Sequence, residues 1–109
     1  MTHIHDLTVT ELTAAIRAGE VSPVQVTDHY LDRIDRRSEQ VGAFYTVTHD
    51  LAREQAAAAE AAVTAWRRDG EPAGGLPPLT GVPVPIKDLN QVAGVRMTLG
   101  SAVYADFVP

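Results

Sequence analysis

The sequence contains no cysteine, and this absence removes several classes of chemistry at once. Without a thiol, the chain has no disulfide framework, no cysteine nucleophile and no cysteine-ligated metal site. The four histidines (His3, His5, His29 and His49) lack the spacing that is typical of a metal site. No Walker or Rossmann glycine pattern is present either. We therefore predict no metal and no other cofactor.

Aromatic residues are scarce, at 6% of the 109 residues, although 45% of the chain is hydrophobic. Much of that fraction is alanine, so a single domain of this length can bury only a modest apolar area. The net charge of −5 and the lack of a basic cluster argue against direct binding to nucleic acid. No apolar run approaches the ~20 residues that span a bilayer, and no secretory signal is visible. These features predict a globular, cytoplasmic protein that does not contact membranes.

Local signals predict three helices in the first half of the chain. Thr8 and Glu11 form a capping box that starts the first helix, and Gly19 ends it. Residues 22–25 repeat the box, with proline at the first helical position. An alanine-rich helix is predicted over residues 50–69, and we interpret it as a surface helix. The alternative is a helix that packs closely against another through a seam of mostly small residues, Leu51, Gln55, Ala58, Ala62 and Ala65.

Alternation of apolar and polar residues predicts strands at 41–48, 82–87 and 95–101. In the second of these, Pro83 and Pro85 remove two N–H donors from the same side of the strand. That side is therefore an edge, or its pairing is interrupted. The residues thus predict helices in the first part of the chain and further strands in the second.

Glycine and proline at residues 71–78 mark a linker. It separates a mainly helical region, residues 1–70, from the strand-bearing region, residues 79–109.

Lys87 stands at the end of the second predicted strand. A lysine at that place can act as a base, because desolvation favours its neutral form. A solvated lysine that ends an edge strand explains the same spacing. We assign the neighbouring Asp88 a structural role, in which it holds backbone N–H groups of the loop that follows. We assign Ser101 a packing or turn role.

The segment LTGVPVPIKDLNQVAGVRMTLGS resembles the lysine-bearing segment of the amidase signature family, whose usual form is roughly LxGxPxxxKDxxxxxGxxTTxGS. The residues that match this form are Leu79, Gly81, Pro83, Lys87, Asp88, Gly94, Thr98, Gly100 and Ser101. Pro85 departs from the small residue that is common at its position. The upstream run AIRAGEVSPVQV resembles the N-terminal helices of the same family, so the resemblance covers most of the chain.

The resemblance implies a hydrolase of small-molecule carboxamides. In that scheme a neutral Lys87 takes a proton, through a bridging serine, from a nucleophilic serine that forms an acyl-enzyme. The serine pair belongs to a GGSSGG-type segment, which we expect beyond residue 109 or in a partner chain. The implied fold is α/β and consists here of N-terminal helices and the first strands of a mixed sheet with helices on both faces, which is incomplete in this chain. Residues 1–109 are then the N-terminal part of one amidase domain.

Two other functions stay open at this point. A noncatalytic fragment or interaction subunit could use the same helices and strand for association. The glutaminase subunit of a tRNA-dependent amidotransferase shares the signature. For each of these functions we expect the isolated chain to be inactive. Because its strands lack partners, we also expect it to be partly molten, aggregated or oligomeric, homo-oligomers included.

Overall fold

The computed structural model describes residues 3–70 and 75–109, and its regular elements are helical. The α-helices are α1 (Val9–Ala18), α2 (Pro23–Val41) and α3 (His49–Asp69). Two short 3-10 helices, Ile4–Asp6 and Ala102–Tyr104, lie near the two ends of the chain. None of the helices described has the length and apolar character that crossing a membrane requires.

The first two helices begin where their capping signals predict. At the start of α1, the Thr8 hydroxyl accepts the N–H of Glu11 at 3.1 Å, and the Glu11 carboxylate accepts the N–H of Thr8 at 2.9 Å. Ser22 and Gln25 exchange the same two bonds at the start of α2, at 3.1 and 2.8 Å. These bonds satisfy N–H groups that the first turn of a helix leaves unpaired. Gly19 ends α1 with a left-handed φ of 77°. The predicted bounds of α1 and the start of α2 are confirmed.

The hydrophobic core lies where the three helices meet. Ile16 of α1 is 1% exposed and Val26 of α2 is 0% exposed. The buried cluster consists of Leu12, Ile16, Val26, Val63 and Leu76. Since Leu76 follows the helices in sequence, the second half of the chain contributes one residue to a core that the helices build.

Helix α3 packs through a face that lies one residue away from the predicted seam. Ala56 and Val63 are each 5% exposed, whereas Leu51 of the predicted seam is 37% exposed. The less exposed positions of α3 include Ala52, Ala56, Ala59, Val63 and Trp66. A shift of one residue rotates a helix face by about 100°. Helix α3 is therefore mostly exposed, as a surface helix is, but it packs through a different face from the alternative seam.

The predicted strands are not found in the described residues, which contain helices, turns and extended segments. At residues 41–48, Val41 is instead the last residue of α2, and Gly42 ends that helix with a φ of 60°. Residues 43–48 then connect α2 to α3. Aromatic and β-branched residues favour a strand only where a neighbouring strand can pair with them.

Residues 82–87 are extended but have no strand partner among the described residues. Pro83 and Pro85 lack N–H donors, and the side chains of Val84 and Ile86 are 61% and 59% exposed. The alternating pattern therefore presents apolar side chains that nothing in the described chain covers. The helical part of the predicted α/β fold is confirmed, whereas its strands and sheet are not shown in the described residues.

Residues 95–101 come closest to strand pairing. The N–H of Met97 donates to the carbonyl of Phe107 at 3.0 Å, and the N–H of Gly94 donates to the carbonyl of Pro109 at 2.9 Å. Two separate bonds do not make a ladder, so this segment is a return loop in the described residues, and the strand predicted there is not shown.

The predicted linker, residues 71–78, includes residues 71–74, which lie outside the described residues. Its last part is fastened to the helices. Leu76 is 9% exposed, and the Arg17 guanidinium donates to the carbonyl oxygens of Leu76 at 3.0 Å and Pro77 at 3.4 Å. These contacts bring the start of the second region onto α1.

Candidate catalytic segment

The segment that leads to Lys87 begins at a turn packed against the helices. Gly81 has a φ of 89°, and a Cβ added there would lie 2.7 Å from the Pro23 ring and 3.4 Å from the Ile16 side chain. Glycine alone suits both the backbone conformation and the close approach. Val82 then packs against the core. The matched glycine thus docks the segment onto α1 and α2.

Lys87 is the single lysine of the chain and is exposed at the end of the extended segment. The chain turns immediately after it, and the N–H of Asn90 donates to the carbonyl of Lys87 at 3.0 Å. A lysine acts as a base at neutral pH only where desolvation or neighbouring charges favour its neutral form. The described residues hold the backbone of Lys87 in place without covering its side chain.

Asp88 gathers hydrogen bonds from the return loop. Its Oδ1 accepts the N–H of Thr98 at 2.8 Å, and its Oδ2 accepts the Thr98 hydroxyl at 2.5 Å and the N–H of Gly100 at 3.4 Å. These bonds, chiefly those from Thr98, hold the pKa of Asp88 below its ordinary value. Asp88 therefore has the predicted structural role of an acceptor for backbone N–H groups, but those groups belong to Thr98 and Gly100 of the return loop and not to the loop directly after Asp88.

Ser101 makes a local turn contact. Its hydroxyl oxygen accepts the N–H of Val103 at 3.3 Å and caps the short helix Ala102–Tyr104. The predicted turn role is confirmed, and it accounts for Ser101 without a catalytic function.

Two histidines that are 24 residues apart lie together where the first 3-10 helix meets α2. The Nδ1 of His5 and the Nε2 of His29 are 2.9 Å apart, and the His3 ring stacks on that of His5. Desolvation, followed by the charges of His5 and Arg33, lowers the pKa of His29. His3 and His5 are therefore held in contact with α2 and with each other. A long-range contact of this kind leaves no spacing pattern in the sequence. Within residues 3–70 and 75–109, no group of histidine or acidic residues is arranged to hold a metal ion.

Arg96 was also not predicted as a site residue from the sequence. Its guanidinium donates to the carbonyl of Ala105 and to the Thr46 hydroxyl, the latter at 3.3 Å. It thereby ties the return loop to the α2–α3 connection, beside an open cavity of about 360 Å³ that His49 also lines. Lys87 does not line this cavity. The position of Arg96 inside the matched segment is the signal that could have drawn attention to it.

Comparison with known families gives a match to the Amidase family over residues 25–109. This span contains Lys87, Asp88 and the return loop. It also contains nearly all of α2 and the whole of α3.

Among curated proteins, the chain is similar to the A subunits of several glutamyl-tRNA(Gln) amidotransferases. The protein from Geobacter sp. (strain M21) is 42% identical, over 97% of this chain and 20% of its own length. Those from Roseiflexus sp. (strain RS-1) and Gluconobacter oxydans (strain 621H) are 40% and 39% identical, over 100% of this chain and 21% and 20% of their own lengths. The chain thus spans about a fifth of the length of the curated relatives it matches.

Proposed function

The chain belongs to the amidase family, and on this premise we propose that it is the N-terminal part of a hydrolase of carboxamide C–N bonds, with Lys87 as general base. One observation carries the proposal. Of the matched polar side chains, Asp88, Thr98 and Ser101 are all engaged in structural hydrogen bonds. The amino group of Lys87 has no such partner among the described residues, so a structural contact does not account for its place in the motif.

The proposed reaction proceeds through a serine acyl-enzyme. The serine oxygen attacks the amide carbonyl carbon while its proton passes, through a bridging serine, to the neutral Nζ of Lys87. The C–N bond then breaks, and that proton leaves with the amine. In the second half of the reaction water attacks the acyl carbon, and Lys87 accepts a proton from that water through the bridging serine. The ester C–O bond then breaks, and the proton returns from Lys87 to the nucleophilic serine. Lysine suits this role because its amine is a strong base once it is held unprotonated.

The proposed domain extends beyond these residues. Residues 1–70 form its helical region, 71–78 its linker and 79–109 the start of its catalytic core. In this proposal the extended segment joins a mixed sheet whose other strands lie in the C-terminal remainder or a partner chain. The exposure of Val84 and Ile86 supports this, since a sheet with helices on both faces would cover these side chains. The layer on the opposite face, to which Lys87 points in an extended segment, would desolvate its amino group. The remainder also supplies the serine pair and the oxyanion donors.

A second candidate function is that of one component of a tRNA-dependent amidotransferase. It is favoured by the names of the relatives, which match this chain over 96–100% of its residues. In that function the amide is hydrolysed to supply ammonia, in the cytoplasm, while partner subunits contact the tRNA. The net charge of −5 fits a component that does not bind tRNA directly.

The proposal is tested by kinetics on the complete protein, in which this chain is joined to, or mixed with, the serine-bearing remainder. Lys87→Ala should lower kcat for an aryl amide by ~10²–10⁴. Lys87→Arg should be nearly as damaging, because a guanidinium stays protonated at neutral pH. KM should change much less than kcat. Arg36→Ala, which removes an exposed cation from α2, is the matched control and should retain activity.

The outcomes separate the candidate functions. Near-normal kcat in Lys87→Arg would reduce the lysine to a fixed positive charge. Amide turnover by the 109-residue chain alone, abolished by Lys87→Ala, would contradict the need for an external serine pair. Ammonia release from glutamine that depends on partner subunits would favour the amidotransferase. A complete protein that hydrolyses no amide would favour a noncatalytic interaction subunit.

A further inference from the structure

We infer that Asp88 is a positioning residue, whose carboxylate, held by the loop 98–100, fixes the direction in which Lys87 leaves the extended segment. The inference rests on the proposed function of Lys87. The carboxylate accepts two bonds from Thr98 and one from the N–H of Gly100, all from residues ten or twelve positions further along the chain. Adjacent residues share a peptide unit, so a carboxylate fixed in this way also restricts the backbone of Lys87.

The backbone of the loop is shaped around this carboxylate. Leu99 has a φ of 53° and Gly100 a φ of 72°, two left-handed residues in succession. Successive turns of this kind point neighbouring N–H groups toward one concave side, where an anion binds. Left-handed backbone is disfavoured for leucine. The bonds to Asp88 supply a reason for Leu99 to adopt it.

The loop that holds the carboxylate is itself fixed. Met97 and Thr98 are 4% and 6% exposed, and the Thr98 hydroxyl also accepts the N–H of Gly100 at 3.1 Å. A buried side chain moves less than an exposed one, so the carboxylate is tied to a stationary partner rather than to a mobile surface loop. The bonds from Thr98 lower the pKa of Asp88, and its charge therefore persists under mildly acidic conditions.

Lys87 lies close to this fixed point and has few other restraints. The upstream anchor is Gly81, which packs on Pro23, and no strand ladder supports the residues between Gly81 and Lys87 in the described chain. The Asn90 N–H fixes the Lys87 carbonyl after the segment ends. Asp88 thus supplies a side-chain restraint next to Lys87, where a small rotation of the backbone would displace the amino group.

The first arm of the test does not depend on catalysis. Because Lys87 is the single lysine of these 109 residues, ¹⁵N-lysine labelling of them, followed by joining to the unlabelled remainder of the complete protein, gives one lysine amide signal. We expect an order parameter near ~0.85 in the unchanged chain, and below ~0.6 in Asp88→Ala. Thr98→Val should lower it less, because the backbone bond to Asp88 remains. Thr98→Ser keeps the hydroxyl and should restore the original value.

The second arm measures acyl transfer by the complete protein, per active site titrated by burst amplitude. Asp88→Ala should lower kcat by about 10²-fold with little change in KM, since misplacement of a reacting group costs rate rather than binding. Thr98→Val should cost less, and Thr98→Ser should be close to the unchanged protein. Asp106→Ala removes an exposed carboxylate near the same loop and serves as the matched control.

A double-mutant comparison decides whether Asp88 acts through Lys87. In the Lys87→Ala background, Asp88→Ala should lower the residual rate by less than about two-fold, because the two changes remove one function. A full loss in that background, or an unchanged Lys87 order parameter in Asp88→Ala, would overturn the inference. An active Lys87→Ala protein would instead contradict the proposed function and leave the order-parameter result standing. If Asp88→Ala fails to fold, Thr98→Val carries both arms.

Discussion

Residues 3–70 and residues 75–109 of this chain reach their structures by different routes. The first region consists mainly of helices, whose N–H groups bond to carbonyls four residues earlier. The backbone bonds of the second region belong to isolated turns and a return loop. A helix supplies its own hydrogen-bond partners, whereas a strand has to receive them from a neighbour. The first region therefore completes its backbone hydrogen bonds with its own residues. An extended segment of the second region still needs a neighbouring strand to do so.

The exposed apolar residues follow the same division. In the second region the large apolar side chains that are more than half exposed are those of Leu79, Val84, Ile86, Leu89, Val103 and Val108. In the first region the corresponding residues are Val9 and Val41, at helix ends, and Tyr45, in the α2–α3 connection. Apolar residues of an extended segment have a clear purpose if further chain covers them. The second region therefore exposes apolar side chains that are available to pack against further chain.

The largest expected difference between the two regions is in side-chain packing. Ile16→Ala should lower the free energy of unfolding of the 109-residue chain by about 2–5 kcal/mol, because the isoleucine is 1% exposed. Ile86→Ala, at 59% exposure, should change it by no more than about 0.5 kcal/mol. Urea unfolding followed by far-ultraviolet circular dichroism measures both. Equal costs would mean that the second region packs as firmly as the first.

The same pair of variants sharpens the comparison in the complete protein. If the proposed sheet covers residues 82–87, Ile86→Ala should there cost an amount in the range of a buried residue, and Ile16→Ala should cost what it does in the shorter chain. A cost for Ile86→Ala that stays near zero would show that the segment remains uncovered, and would contradict the proposed sheet.

A smaller difference between the two regions is expected in the free energy that their helix caps contribute to stability. Ser22→Ala should lower the free energy of unfolding by about 1 kcal/mol, since its hydroxyl caps the 19-residue helix α2. Ser101→Ala should cost only a few tenths of that, because it caps a three-residue helix. Ser22→Thr keeps the cap and is the control. A similar loss for Ser22 and Ser101 in thermal or urea unfolding would show that local caps matter equally in the two regions.

The smallest expected effect is a pH dependence confined to the first region. The pKa of His29 lies below 6.5 in the folded chain, so between that pKa and 6.5 the unfolded state binds more protons than the folded state. Unfolding free energy should therefore fall as the pH is lowered through this window. Desolvation is the largest cause of the lowered pKa of His29, followed by the charges of His5, Arg33, His3 and Arg36, and the Tyr30 ring lies edge-on against the His29 ring.

The control for this pH dependence is His29→Gln, which should flatten the stability profile between pH 7 and the folded pKa. Amide signals of the Ile4–Asp6 helix should shift over the same window, because His5 contacts His29. Signals of the loop 98–100 should not move there, since Asp88 titrates at a much lower pH. An unchanged slope in His29→Gln would assign the dependence to another group.

The amino-acid sequence was sufficient for features whose causes are local. Thr8 with Glu11, and Ser22 with Gln25, predicted the starts of α1 and α2, because each box joins residues only three positions apart. The alternation at residues 82–87 predicted that Lys87 ends an extended segment, and the place of Asp88 beside a turn predicted that it accepts backbone N–H groups. A short polar side chain next to a turn has few other partners, which made the second prediction possible.

Contacts between distant residues decided the rest. Almost all positions of α3 that could face α2 are alanine or polar. The sequence pattern therefore did not distinguish between two faces of the helix that lie one residue apart. Packing against α2 selected the face that buries Val63. The pairing of His5 with His29 arises because the first 3-10 helix lies against α2. The alternating pattern at 82–87 specifies which side chains should be buried, but it does not supply a neighbouring strand. Without that strand among the described residues, the segment is extended and unpaired.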